Sequence, residues 1–283
     1  MKAYTHKVEY RSRSAGVKIF FASDFHVSNK WTDLKLIREM VRKVVKEKAF
    51  LVLLGDHGEH INRGDRRFDV STLAPWIMTD DLEDLAAAEK RKLVQLLGPC
   101  KENIIAICKG NHEDTLSRRY ERNVYKELCD ALGIPEERRL GYSGLVDLAC
   151  KRRGGEDKTA SMSTLRMFLT HGAGGGYLPG AKANRLERFT GDFRDIDLVA
   201  MGHTHAFLSF KRRMLAKQRT SDEIYDSEIV LINTGSFLRG EMGGYAERSC
   251  MRPQGIGWQE AIFYPDKRRV EISWSAQLSP SRA

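Results

Sequence analysis

No stretch of this 283-residue chain is apolar for long enough to cross a bilayer, which takes about 20 consecutive apolar residues. The opening segment, MKAYTHKVEYRSRSAGVKIFF, has basic residues but no continuous apolar run before a small-residue cleavage site, so no signal peptide is expected. Cysteine is scarce. The five, Cys100, Cys108, Cys129, Cys150 and Cys250, are scattered, odd in number and never spaced CxxC. That argues against a zinc ribbon and a disulfide scaffold and suits a reducing compartment, so a cytoplasmic location with no membrane partner is expected. Internal repeats and low-complexity linkers are also missing, and a single domain over residues 1–283 is expected.

Hydrophobic residues make up 41% of the chain, enough to bury a sizeable core. The formal charge is +9, from 47 Lys+Arg against 38 Asp+Glu. A basic balance fits either a solvated surface or attraction to a polyanion, and charge alone does not choose.

The first half alternates buried strands with helices. VKIFFASDFH reads as a strand running into a polar turn, and Leu34, Ile37, Val41, Val44 and Val45 then recur at helical spacing. AFLVLLGDH is a second strand. DDLEDLAAAEKRKLVQLLGP is a helix whose capping box would use Asp80 and Glu83, with Gly98-Pro99 as its stop. NIIAICKGNH is a third strand, and the four-residue spacing of Leu116, Tyr120, Val124 and Leu128 predicts one helix ended by Gly133 and Pro135. This alternation implies a largely parallel sheet covered by helices. The second half is mostly strands, with one helical candidate around Ala183 to Phe189. The expected product is an α/β fold with two sheets face to face and helices outside. HINRGDRRFDVSTLAPWIMT, CKRRGGEDKTASM and KRRMLAKQRTSDE read as loops.

Polar residues cluster at the carboxyl ends of the buried strands: Asp24 and His26, then Asp56, then Asn111 and His112, then His171, then His203 and His205. Open α/β sheets bind ligands outside those ends. Asp, His and Asn are oxygen and nitrogen donors suited to a divalent metal, and five of the eight histidines fall in these clusters. Strand alternation would let Asp24 and His26 face one point, and likewise His203 and His205. Taken singly, each motif has a plain structural explanation, such as a capped turn or a solvated histidine. Five in order, each at a strand end, leave that explanation little room.

As an ordered set, Asp24-x-His26, Gly55-Asp56, Gly110-Asn111-His112-Glu113, His171 and Gly202-His203-x-His205 resemble the signature of the calcineurin-like metallophosphoesterases. The resemblance implies a four-layer α/β/β/α sandwich with a two-metal site at the strand C-terminal ends. It implies that Asp24, His26 and His205 hold one metal, that Asn111, His171 and His203 hold the other, and that Asp56 bridges both. A hydroxide shared by the ions would attack phosphorus. His112 would act as proton donor or charge stabiliser, aligned by the Asp24 carboxylate. The expected cofactors are two divalent ions, manganese as the working choice, with iron or zinc as alternatives.

Two features depart from the family pattern. His57-Gly58-Glu59-His60 follows Asp56 where many relatives have another Asp or an Arg, so His57 and His60 stand as substrate contacts, supporting donors, extra ligands or plain loop residues. HGAGGGYLPGAK is glycine-rich but lacks the Lys-Ser/Thr pair of a nucleoside-triphosphate loop, so that reading is rejected. Basic clusters follow four of the metal-bearing loops: Arg63, Arg66 and Arg67; Arg118, Arg119 and Arg122; Lys182, Arg185 and Arg188; Lys211, Arg212 and Arg213. They tilt the expected phosphoester substrate toward a nucleotide or nucleic acid, with Arg118, Arg119 and His57 as candidate contacts. Trp31, Trp76 and Tyr177 serve equally well as base-stacking groups or core lids, and Trp258 and Trp274 read as packing residues. The expected activity is therefore metal-dependent phosphodiester hydrolysis. A phosphomonoesterase or protein phosphatase is the alternative, and a non-catalytic scaffold the third reading. Oligomeric state is open.

Overall fold

The computed structural model describes residues 1–153, 162–176, 178–217, 222–239 and 254–277. Its elements run β1 (Lys2–Tyr10), β2 (Val17–Ala22), α1 (Leu34–Glu47), β3 (Phe50–Leu54), α2 (Leu85–Leu97), β4 (Ile104–Cys108), α3 (Asn111–Tyr120), α4 (Val124–Leu132), β5 (Arg139–Gly141), β6 (Ser143–Arg152), β7 (Met162–Thr170), α5 (Pro179–Asp192), β8 (Leu198–Met201), β9 (Phe207–Lys217), β10 (Ile224–Thr234), β11 (Ile256–Tyr264) and β12 (Arg269–Gln277).

Two six-stranded sheets result. One has the order β12-β11-β2-β3-β4-β5 and the other β1-β6-β7-β8-β10-β9. The strands β2 to β5 pair in parallel, as strand–helix alternation requires. On β2, Ile19 and Phe21 turn to one face and Phe20 to the other, and all three are fully buried. That double burial explains the unbroken apolar run. Ile19, Phe21, Val52 and Leu54 meet Leu148, Met167, Leu198 and Ile232 of the second sheet in one core. Phe20, Leu51 and Leu53 pack on Ile37, Met40 and Val44 of α1 and on Leu93 and Leu97 of α2. On the far side, Leu186 of α5 covers Phe168, Val199 and Leu231. The layers are therefore α/β/β/α.

Several local expectations are corrected. The second helix does not begin with an Asp80–Glu83 box. Thr79–Glu83 form a separate 3-10 turn in which Asp81 accepts from the Met78 amide at 3.0 Å, and α2 starts at Leu85 with the Asp84 side chain accepting from the Ala87 amide. The single helix through Leu116 and Leu128 is two helices. Glu121 turns left-handed (φ 53°) and the Asn123 side chain caps α4 by accepting from Lys126, so the apolar spacing spans a break. β1, unforeseen, alternates at period two and pairs in parallel with β6 at a sheet edge. Within KRRMLAKQRTSDE, residues 211–217 are strand β9 rather than loop, because Lys211 and Arg213 pair with Glu228 and Asp226 across the β9–β10 hairpin, and residues 218–221 lie outside the described residues. Tyr177 and Cys250 lie outside the described residues. Trp258 is buried, and Trp76 packs against the helix-side core with its indole N–H donating to the Val27 carbonyl.

Candidate metal centre

The turns beyond β2, β3, β7 and β8 and the start of α3 bring the sequence-predicted residues together. Asp24, His26, Asp56, His203 and His205 all have positive φ, between 45° and 65°. Strand alternation therefore does not aim them. Left-handed turns do, a conformation Asp and His tolerate better than β-branched residues. The turns are laced together by main-chain bonds: the Asp24 amide donates to Gly55, the His26 amide to Asp56 and the Gly202 amide to His171. Two glycines permit the close approach. Gly55 has φ +92°, and a Cβ there would lie 2.6 Å from the Gly110 nitrogen. A Cβ on Gly110 would lie 2.0 Å from Asp56 Oδ1.

Two groups of donor atoms face one another. In the first, Asp24 Oδ1 lies 3.2 Å from His205 Nε2 and 3.9 Å from His26 Nε2. The other Asp24 oxygen accepts from the Ser23 hydroxyl and, at 2.9 Å, from the His203 amide. In the second, His171 Nε2 lies 3.2 Å from Asp56 Oδ2, 3.1 Å from Asn111 Oδ1 and 3.2 Å from His203 Nδ1. His171 Nδ1 donates to the Leu54 carbonyl at 2.6 Å, which leaves Nε2 of the neutral ring as a bare lone pair. That lone pair faces the Asp56 and Asn111 oxygens, which only accept, an arrangement a cation resolves. The first group gives the same answer: Asp24 Oδ1 and both His26 ring nitrogens are buried with no hydrogen-bond partner. The donor set therefore fits divalent metal. Asp56 stands beside both groups. Its Oδ1 accepts from the His112 amide at 3.0 Å, and its charge acts on His26.

The electrostatics point the same way. Burial pushes the Asp56 carboxyl up, but His171, His112 and His26 outweigh it and hold the group well below the usual carboxylate range. Burial pushes His171 down, and the Asp56 and Asp24 charges carry it up to about 9. The buried carboxylates require positive charge, which protons or a divalent ion can supply.

His112 is oriented differently from the expectation. Its Nδ1 hydrogen bonds to the Glu59 main-chain carbonyl, and it forms no hydrogen bond to the Asp24 carboxylate. A carbonyl only accepts, so Nδ1 carries the proton and Nε2 is the nitrogen left to act. The ring stands edge-on to His26, with centroids 4.8 Å apart. The Glu59 carboxylate lies 3.2 Å from His26 Nδ1, and His26, Glu59 and His112 form a third group of possible donors. Glu59 was passed over in the sequence, although an acid three residues after Asp56 was visible there.

His57 is not placed to touch substrate. It is fully buried, and its amide and Nδ1 both meet Glu113 Oε1, at 2.7 and 3.1 Å. Glu113 also accepts from the amides of Asp56 and Gly110, tying the β3 turn to the start of α3. His60 pairs with Glu89 of α2, which accepts from the Glu59 and His60 amides and from the Ser28 hydroxyl. Glu89 escaped sequence reasoning, because nothing in a helical pattern marks an inward-facing Glu, and Glu113 was read only as a member of the Gly-Asn-His-Glu motif, without a role of its own.

The basic clusters separate on inspection. Arg185 donates to the Ala173 and Gly175 carbonyls and so fixes the glycine-rich segment. Lys182 is buried. Arg212 meets the Thr190 hydroxyl and Glu187. Arg122 binds Glu127 and Asp84. Arg63 and Arg66 are exposed and form no hydrogen bond or ion pair among the described residues. Arg119 reaches Asp65 at 3.7 Å, and Arg118 approaches Asp114 only at 3.9 Å.

Fold and donor set together define a metal-dependent phosphoester hydrolase. The model of the calcineurin-like phosphoesterase family matches residues 17–207, more than half of the chain, and the chain belongs to that family. Among solved structures, a conserved uncharacterized protein described as a predicted phosphoesterase, from Streptococcus pneumoniae TIGR4, is similar at 10% identity over 93% of this chain and 99% of its own, with a TM-score of 0.33. GAP50, described as the anchor in the inner membrane complex of Plasmodium, is similar at 10% identity over 88% of this chain and 81% of its own, with a TM-score of 0.42. No curated protein sequence matches the chain. No helix among the described residues is long and apolar enough to cross a membrane.

Proposed function

We propose that this chain is a two-metal phosphodiesterase acting on nucleotide or nucleic-acid diesters, with residues 1–283 working as one domain in the cytoplasm. The observation that carries the reading is the pair of facing donor groups, buried and short of hydrogen-bond donors, with Asp56 beside both. Asp24, His26 and His205 would hold one ion, and Asn111, His171 and His203 the other. Two divalent ions, manganese in the first instance, supply Lewis acidity toward phosphoryl oxygens and lower the pKa of a water.

The chain's own groups do the rest. The Asp56 carboxylate offsets the repulsion between two cations. His112 is pinned through Nδ1, so a proton on Nε2 points at whatever the centre holds and can pass to the leaving oxygen. Ser23 and the His203 amide fix the Asp24 carboxylate, leaving one oxygen for the first group. Arg63 and Arg66, with no ion pair among the described residues, and the exposed Arg118 favour a diester within a larger anion over a small monoester.

The deciding experiment compares turnover of a chromogenic phosphodiester and its matching monoester by manganese-reloaded protein. Preference for the diester is expected. Preference for the monoester would replace the reading with a phosphomonoesterase. No turnover of either, with two ions bound, would leave the scaffold reading.

A further inference from the structure

α3 begins at the proposed centre and leads away from it. Asn111 and His112 form its first turn, and Arg118 lies seven residues on. Residues at spacings of four and seven share a helix face, so Asn111, Thr115 and Arg118 lie along one line. At 1.5 Å per residue, Arg118 stands about 10 Å from Asn111 along the axis. That is too far to serve the phosphoryl group held at the centre.

The segment 63–67 lies against the outer end of the same helix. Arg119 reaches Asp65 at 3.7 Å, and the Tyr120 hydroxyl lies 3.1 Å from where a Gly64 Cβ would stand. The segment also follows closely on the centre, because it begins four residues after Glu59, whose main-chain carbonyl holds His112. Its cations differ in commitment. Arg67 is held by both oxygens of Asp65, whereas Arg63 and Arg66 have no acidic partner among the described residues. Arg118 is 81% exposed, and Asp114, its ion-pair partner at 3.9 Å, is held more closely, at 2.8 Å, by Lys109. Tyr120 is 43% exposed and offers a ring face beside these guanidinium groups. The exposed Arg63, Arg66 and Arg118 and a part-exposed tyrosine thus lie around the outer part of the helix whose first turn holds Asn111.

We infer that Arg118 of α3, with Arg63 and Arg66 of the facing segment, binds the phosphates that flank the scissile one, so that the substrate is an extended single strand of nucleic acid. This deepens the function proposed above and rests on it. A recessed centre, with Asp24, His26, Asp56 and His171 at most 3% exposed, suits a flexible strand that can bend one phosphate inward. Exposed guanidinium groups contribute to such binding through release of counterions, and the Tyr120 ring supplies a sequence-independent stacking face.

The test uses the metal-stripped 283-residue chain, a fluorescently labelled single-stranded DNA oligonucleotide and anisotropy over a range of salt concentrations. The triple variant Arg63→Ser, Arg66→Ser, Arg118→Ser is compared with the unaltered chain, and thermal melting confirms that both are folded. The variant is expected to bind about tenfold or more weakly at low salt. The slope of log Kd against log salt should shrink by about 2, the loss of three phosphate contacts at ~0.7 each. Equal affinity and equal slope for the two proteins would overturn the assignment, as would no binding by the unaltered chain. The chromogenic-diester assay on the unaltered chain reports separately on the reaction. A missing diester activity together with arginine-dependent binding would sink the proposed function and leave the surface standing, and the converse pattern would do the reverse.

Discussion

Glu89 of α2 and His60 of the β3 turn form an ion pair with no access to solvent on either side chain beyond 4%. The same carboxylate receives the amides of Glu59 and His60 and the hydroxyl of Ser28. One side chain of a covering helix therefore holds two of the turns that build the centre. Removing one partner of a buried pair costs about 3–5 kcal/mol, since the other is left charged and unpaired. Glu89→Ala should lose that much stability by urea denaturation near neutral pH, and a loss below about 1 kcal/mol would show the pair to be incidental.

The pair also sets a pH dependence. Burial pushes His60 down, but Glu89, Glu113 and Asp56 outweigh it and raise the group to about 9 from 6.5, while His60 and Ser28 hold the buried Glu89 below its usual 4.5. A raised histidine stabilises the fold fully below its unfolded value and loses the effect as pH climbs through the folded one. A depressed glutamate contributes fully above its unfolded value and loses the effect as pH falls through the folded one. The contribution is therefore complete between about pH 4.5 and 6.5 and fades as pH rises through about 9. Stability curves should show this alkaline decline in the unaltered chain and a flatter one in Glu89→Ala.

Asp56→Asn keeps the shape and removes the charge next to both donor groups. Manganese content after dialysis should fall by more than the roughly 10–100-fold in affinity that an outer-shell partner costs, with turnover falling alongside. Full loading with normal turnover would end the two-metal reading.

His112→Ala leaves both donor groups intact. Metal content should be preserved and hydrolysis slowed by about 10²–10⁴, most for esters with poor leaving groups. A variant that instead loses one ion would identify His112 as a ligand, a role its place beside His26 and Glu59 makes chemically available.

Gly110→Ala isolates a purely steric requirement. The Gly110 backbone is extended (φ −99°, ψ −173°), so alanine meets no dihedral strain there. Its Cβ would lie 2.0 Å from Asp56 Oδ1 and 2.5 Å from the Asp56 nitrogen, so Asp56 must move. Metal loading should drop toward that of Asp56→Asn. Gly175→Ala, whose Cβ meets nothing within 4 Å, should load normally.

The strands β2, β3 and β4 were legible because each is buried on both faces and reads as an unbroken apolar run. β1 and β9 were not, because edge strands carry charge outward and look like loops. The ordered Asp, Asn and His motifs foretold which residues converge. What they did not foretell is how: left-handed turns rather than strand alternation aim Asp24, His26, His203 and His205. The turn-holding roles of Glu89 and Glu113 were hidden because their partners are mainly backbone amides and buried histidines, which leave no periodic trace. The pairing of Lys211 and Arg213 across a hairpin was likewise invisible, since it depends on a register that only the folded sheet supplies.

The strand that delivers Asp24 is completed late. β2 has β3 on one side and β11 on the other, and β11 lies more than two hundred residues downstream, past the matched family segment. During synthesis, β2, β3 and β4 can associate early, while the other edge of β2 stays open until Ile256–Tyr264 have left the ribosome. A nascent chain that already contains every residue of the centre therefore still exposes an apolar, unpaired strand edge next to Asp24. Translation that stalls in this interval yields a product with a full set of ligands and a sticky flank, so the residues of the centre are made well before the strand that shields their neighbour from aggregation.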